Sequence, residues 1–309
     1  MQTAIFKLSF STAVHFGEGA LDSCASTFMS DTLFSALCIE ALKYERLDAL
    51  LDAVKCGNLC ISNAFPFDEY DLYLPKPIKR INSQTELDPL ERKKFKKLQW
   101  IPAKKFEAYL QGRFGASDAC SLSFGKYSLR AQVTPSRNGA DAEPYQVASF
   151  TFNSGCGLYV MVGYRDQEML KLIETLMGSM GLTGIGGKRS SGLGKFKAEL
   201  LQGVQIPYQE RFNANSENKN GCFMLLNVAL PKDVELEDTI SDASYLLVKR
   251  SGFINTEQDQ EELKKKTLFA FSAGSCFKNK FSGDVFDVSN GYSHPVYRYL
   301  KPFFMELTV

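Results

Sequence analysis

The sequence predicts an α+β chain whose first part is a ferredoxin-like domain. Three observations carry that prediction. The apolar pattern alternates between period two and period 3.6 in the order β-α-β-β-α-β once one long stretch is set aside. A loop rich in glycine and basic residues leads out of the second helix into the last of those strands. A polar, turn-rich stretch, 205–221, then separates a second part that opens on a new strand. With 309 residues and 44% hydrophobic content, the chain has room for about two domains at roughly 150 residues each.

Ala4 to Phe10 alternates and reads as the first strand. Ser30 to Tyr44 reads as a helix. Ser30 is placed to cap it, Asp31 suits the positive end of its dipole, and Phe34, Leu37, Cys38 and Ala41 share one face. Asn58 to Phe65 reads as the second strand, closed by Pro66. Gly157 to Gly163 is the third strand. Gln167 to Met180 is the second helix, with Met169, Leu172, Ile173, Leu176, Met177 and Met180 on its apolar side. Lys195 to Leu201 is the fourth strand.

The stretch from about 67 to 156 is an insertion with structure of its own. Asp88-Pro89 starts a helix, with Phe95 and Leu98 inward and the lysines toward water. Tyr127 to Thr134 and Tyr145 to Phe152 are two extended runs. Pro135, Asn138-Gly139 and Pro144 lie between them, so the pair reads as a protruding β-hairpin over 127–152. Beyond the boundary, Cys222 to Leu230, Lys266 to Ser272 and Pro302 to Val309 are strand candidates. Asp242 to Lys249 is open between helix and strand.

Composition excludes several classes. The net charge is +1, so the chain is no histone-like polycation. The two histidines, His15 and His294, are too few for most zinc or histidine-based catalytic sites. Only Cys56 and Cys60 of the eight cysteines are close in sequence, without a second Cys/His pair, which suits reduced thiols better than zinc. Lys7 interrupts the first apolar stretch, so no signal peptide is expected. No apolar run approaches the ~20 residues of a membrane span. The expectation is a cytoplasmic protein without metal or cofactor.

The near-zero net charge hides segregation. Residues 1–71 hold four basic and ten acidic residues; residues 76–105 hold ten basic and three acidic. Residues 184–197 hold four basic residues and no acid. Such islands can hold a polyanion locally, although a lysine-rich run is also what a solvated helix face looks like.

The most informative stretch is Gly184-Ile-Gly-Gly-Lys-Arg-Ser-Ser-Gly-Leu-Gly-Lys-Phe196. Its glycines allow close approach of backbone N–H groups to phosphate oxygens. Ser190 and Ser191 add hydroxyl donors, and Lys188, Arg189 and Lys195 add charge. It is neither a Walker A loop nor a dinucleotide fingerprint, because both spacings fail and because it runs from helix into strand. An extended nucleic-acid backbone suits it better than a mononucleotide; the plain alternative is a flexible turn.

Several motifs together resemble a known family. They are His15-Phe16-Gly17 after the first strand, Ser30-Asp31-Thr32-Leu33-Phe34-Ser35-Ala36-Leu37, and Phe65-Pro66 followed by Tyr73-Leu74-Pro75-Lys76-Pro77. The glycine-rich loop, Gly274-Ser275 and His294-Pro295-Val296-Tyr297-Arg298-Tyr299 complete the set. In this order they resemble the fourth Csm subunit, a RAMP-superfamily protein of type III-A CRISPR effector complexes. Leu300 departs from the glycine expected there.

The resemblance implies two ferredoxin-like (RRM-like) RAMP domains in tandem, 1–204 and a degenerate one at 222–309, joined by 205–221, with the hairpin as a thumb. It implies an antiviral-defence subunit that caps the repeat-derived 5′ handle of the CRISPR RNA. Its neighbours would be a large polymerase-like subunit and the backbone subunit that tracks the guide, and it would not itself be a nuclease. A single-stranded RNA end needs cations for phosphates and flat side chains for splayed bases. The expected phosphate contacts are Lys76, Lys79, Arg80, Gly186, Gly187, Lys188, Arg189, Ser190, Ser191, Lys195 and Arg298. The expected base contacts are His15, Phe16, Tyr145, His294 and Tyr297, and the thumb contacts Arg130, Thr134 and Arg137. Two rivals stand beside this reading. One is a metal-independent endoribonuclease cutting repeat RNA with His15 as general acid or base. The other is a protein-binding scaffold. Asp31 is the obvious lone carboxylate, but no second one accompanies it as two-metal cleavage needs.

Overall fold

A computed structural model of the chain describes residues 1–81, 89–115, 123–133, 144–201, 208–212, 221–254, 263–292 and 294–307. The first strand, Gln2–Phe10, is central. It pairs antiparallel with Gly157–Tyr164 on one side (Phe6 opposite Val160) and with Phe196–Leu200 on the other (Leu8 opposite Ala198). Leu59–Ile61 adds to the far edge of Gly157–Tyr164. The spatial order is therefore fourth, first, third, second, with helices Ser30–Lys43 and Gln167–Thr183 between them in sequence, as the periodicity predicts.

Side-chain alternation explains why this sheet sits where it does. Phe6, Leu8, Leu158, Val160 and Val162 point to the two helices and form one core with Phe34, Leu37, Ile173 and Met177. Ile5, Tyr159 and Met161 point the other way. There they meet Ile101 and Phe106 from the insertion and Met224, Phe303 and Met305 from the second half. Gly157–Tyr164 is buried along its whole length for that reason. RNA-recognition domains present an open sheet face to bases. Here both faces are covered, so this sheet offers no open face of that kind.

Several expectations are corrected. Ser30 does not cap the first helix: the helix begins at Ser30, and the Ser30 backbone N–H donates to Asn63 Oδ1 at 2.9 Å. Pro66 does not close a strand but lies within Phe65–Phe67, opposite Leu158. A second helix, Leu47–Lys55, follows the first directly and buries Leu50, Leu51 and Val54. The helix Gln167–Thr183 runs past Met180 and is capped by Asp166, whose Oδ1 accepts from the Met169 N–H at 2.7 Å.

Within the insertion, the helix Pro89–Lys97 packs Phe95 toward the second core while Lys93, Lys94, Lys96 and Lys97 stay exposed. Strands Gly125–Val133 and Pro144–Phe152 form an antiparallel hairpin in register from Gly125 opposite Phe152 to Val133 opposite Pro144. Residues 134–143 lie outside the described residues.

In the second half, Cys222–Leu225 pairs with Cys276–Phe277 and Phe304–Leu307. One side of this sheet joins the second core, and the other carries a cluster of Phe223, Phe271, Phe277, Phe281 and Phe304. The ambiguous stretch ends in a strand, Leu247–Arg250, paired with Leu268–Phe271. Buried polar contacts stitch the halves together. Tyr299, fully buried against Phe34, accepts the Ile61 N–H on its hydroxyl at 3.1 Å. Asn227 donates to the carbonyls of Ile61 and Lys301 and accepts from the Phe303 N–H at 3.0 Å. Among the described residues no helix is long and apolar enough to cross a membrane.

Candidate nucleic-acid interface

The glycine-rich loop is stitched to the segment that follows the first strand. The Gly187 N–H donates to the His15 carbonyl at 2.8 Å, the Gly194 N–H to the Ala13 carbonyl at 2.9 Å, and the Lys195 N–H to Thr12 Oγ1 at 3.0 Å. A Cβ on Gly186 would stand 2.7 Å from the His15 carbonyl oxygen, and one on Gly187 2.7 Å from His15 Cδ2. These two glycines therefore serve first to let the loop lie on the His15 segment, and the Gly187 N–H is spent there, which corrects the expectation that it faces a phosphate. Lys188 takes a left-handed backbone, φ 57°, at the turn. Arg189 follows it half-buried, and Ser190, Ser191 and Lys195 are exposed.

His15 is buried, and its Nδ1–H donates to the Ala148 carbonyl at 2.7 Å. That bond ties the loop to the base of the hairpin, beside the Val14–Phe150 backbone pair. Phe16 is buried edge-on between Phe10 and Phe28. Neither ring presents a free face, so the expectation of base stacking on His15 and Phe16 is corrected: both are packing residues. Tyr145 is half-buried, with the Lys188 amine 5.1 Å from its ring centroid and its hydroxyl donating to Gln132 at 2.8 Å. Arg130 is exposed two positions from Gln132, on the same hairpin face. Thr134 and Arg137 lie outside the described residues.

The loop forms one wall of a cleft of about 850 Å³. The opposite wall comes from the second half: Arg250, Lys265, Tyr297 and Arg298. The start of the first helix makes the floor, where Asp31 receives a two-pronged fork from Arg250, Nε to Oδ2 at 2.9 Å and Nη2 to Oδ1 at 2.7 Å. Arg298 Nη1 stands 3.5 Å from the same carboxylate, and its Nη2 donates to the Ser251 carbonyl at 3.0 Å. Burial pushes the Arg298 guanidinium down from its usual value, Asp31 pulls it back, and Arg250 pushes it down again. Lys265 is lowered by burial and by Arg298 and Arg250, against the pull of Asp31.

The remaining expected residues scatter. Arg298 lines the cleft but is buried rather than an open contact. His294 is exposed, 4.7 Å edge-on from Tyr292, and does not line the cleft. Lys76 is half-buried and donates to the Phe95 carbonyl at 2.7 Å, with its amine lowered by that burial. Lys79 stands by Cys222, whose thiol is lowered by a hydrogen bond with Cys276 and by the Lys79 charge. These lysines occupy the seam between the insertion and the second half, which corrects their assignment to one groove with the glycine-rich loop. Arg80 is exposed beyond that seam. Arg250 and Lys265 were invisible as site residues, because Asp31 and Arg250 are 219 positions apart in sequence. Among the described residues no group of His, Cys, Asp and Glu is arranged to hold a metal ion.

The comparisons with known proteins agree with one another. Residues 218–307 match the family model of the CRISPR Csm4 C-terminal domain. The chain is 34% identical to the CRISPR system Cms protein Csm4 of Streptococcus thermophilus, covering all of both chains. It is 32% identical to the Mycobacterium tuberculosis protein of the same name, covering 99% of this chain and 98% of that one. Among solved structures, a chain in the crystal structure of the Csm3-Csm4 subcomplex of the type III-A CRISPR-Cas interference complex matches with a TM-score of 0.68 at 20% identity, over 100% of both chains. A chain in the Csm1-Csm4 cassette with cA4 matches with a TM-score of 0.63 at 19% identity, over 99% of this chain and 98% of that one. With full-length relatives above 30% identity and the same fold, the chain belongs to the Csm4 family of CRISPR proteins.

Proposed function

We propose that this chain is a non-catalytic RNA-holding subunit of a type III-A Csm interference complex. It caps the repeat-derived 5′ handle of the CRISPR RNA and docks the large polymerase-like subunit and the backbone RAMP subunit. The observation that carries the reading is the cation-lined cleft beneath the glycine-rich loop, in a chain of the Csm4 family. Similar solved structures support the partners, since in them Csm4 is paired with Csm3 and with Csm1. In this reading 1–204 and 222–309 are tandem ferredoxin-like RAMP units joined by 205–221, and the hairpin is the thumb that crosses the guide. Lys188, Arg189, Ser190, Ser191 and Lys195 meet phosphates, and Tyr145 and Arg130 meet the strand as it passes the thumb. Tyr297 offers a ring in the cleft, and the exposed His294 and Arg80 lie along the outer path.

A phosphate-holding loop gains affinity by releasing counterions, so binding must weaken with salt. The test is a binding gel with labelled repeat-derived RNA, on the protein alone and with its large-subunit partner, over a salt series and with chelator. Intact RNA held with salt-dependent affinity is expected. Cleavage that survives chelator and disappears in His15→Ala would make the chain a processing ribonuclease. The burial of His15 and the engagement of its Nδ1 with Ala148 favour a structural role for it. Absence of both binding and cleavage, even with the partner, would leave a scaffold.

A further inference from the structure

The floor of the cleft carries more positive charge than its carboxylate balances. Arg250, Arg298 and Lys265 surround the single Asp31. Elsewhere on the walls Arg189 and Lys249 outnumber Glu18. The fork commits Nε and Nη2 of Arg250, with Nη2 also donating to Thr32 Oγ1 at 3.2 Å. Nη1 of Arg250 and the Lys265 amine are uncommitted among the described residues. Arg298 Nη1 is buried without a hydrogen-bond partner. Charges withdrawn from water need compensation, and a surplus of cations at a cleft floor supplies a place for one anion.

We propose that Arg250 and Lys265 form a seat for one RNA phosphate, and that Asp31 is its positioning residue, so that this carboxylate strengthens binding of a polyanion instead of opposing it. The inference rests on the RNA-holding reading above and adds the group it grips. Asp31 fixes the plane of the Arg250 guanidinium, which leaves Nη1 presented at a set angle. Arg298 adds a further cation to the carboxylate, its Nη1 3.5 Å from Asp31 Oδ2.

The experiment compares wild type with Asp31→Asn for labelled repeat-derived RNA over a salt series. It repeats the measurement with RNAs carrying one neutral methylphosphonate at each linkage in turn. Asp31→Asn is expected to bind about tenfold more weakly, with the salt slope smaller by about one phosphate. Wild type is expected to lose about tenfold at one linkage, and Asp31→Asn to lose nothing further there. A merely structural role would lower the fraction folded but leave both the slope and the linkage-specific loss in place. Equal or tighter binding by Asp31→Asn, or a linkage-specific loss that persists in it, overturns the proposal. Should Asp31→Asn fail to fold, Arg250→Lys carries the same test, because it keeps the charge and loses the fork. Should wild type bind no RNA, the function reading fails separately, and inorganic phosphate decides the seat. A rise in Tm with phosphate that wild type shows and the variant lacks upholds it, and no rise in wild type overturns it.

Discussion

Two stretches of this chain are similarly basic and end in different situations. Residues 89–97 place Lys93, Lys94, Lys96 and Lys97 on the outer side of a helix whose Phe95 is drawn inward, and their amines face water. Residues 184–195 place Lys188 and Arg189 on a turn pinned to the His15 segment, at the rim of a cleft with further cations opposite. Charge density alone does not separate them. What separates them is whether the backbone is held so that several cations converge. A mobile lysine on an open helix loses as much entropy as it gains from one phosphate, whereas converging, pre-placed donors do not.

The comparison breaks first where the loop is pinned. Gly186→Val adds a Cβ 2.7 Å from the His15 carbonyl at a backbone angle, φ +98°, that branched residues avoid. It is expected to cost about 3 kcal/mol in urea unfolding and to abolish salt-dependent RNA binding along with the cleft. The double substitution Lys188→Ala and Arg189→Ala should leave the unfolding midpoint nearly unchanged. It should weaken RNA binding about tenfold or more and reduce the salt slope by about two.

A smaller effect sharpens what holds the helix that leads into the loop. Burial pushes the Glu40 carboxyl up, but hydrogen bonds from Lys43, Ser179 and Thr183 outweigh it and hold it below its usual value of 4.5. A folded value below the unfolded one gives stability that is present above pH 4.5 and is lost as pH falls through the folded value. Glu40→Gln should therefore cost about 1 kcal/mol at pH 7 and flatten the acid limb of a stability profile below pH 4.5. The smallest change is expected at the other basic stretch. Lys93→Ala with Lys94→Ala and Lys96→Ala should alter RNA affinity by less than about twofold and stability by under ~0.5 kcal/mol. A loss equal to that of the loop variant would erase the distinction between the two stretches.

The first sheet was legible because its signal is local. Alternation in Ala4 to Phe10 and the 3.6 period in Gln167 to Met180 state their partners' faces directly. The glycine-rich loop was legible for the same reason, with its glycines, serines and bases within thirteen positions. Its chemistry was only half-readable, since sequence does not say that Gly186 and Gly187 are spent on His15. His15 and Phe16 were read as ligands because an aromatic beside a loop looks the same whether it faces inward or out. The fork from Arg250 to Asp31 was out of reach, because it depends on how two halves meet. Nor does the acidic excess of residues 1–71 reveal that one of those acids, Asp31, holds the cleft's arginines.

The last strand pairs with Cys222–Leu225, and Arg298 and Tyr299 just before it reach back to Asp31 and Ile61. The floor of the cleft thus joins residues 219 positions apart in sequence and exists only where the two halves have met. Any ligand of the cleft therefore reads out the docking of the two halves, because a chain in which they stand apart offers only part of the lining.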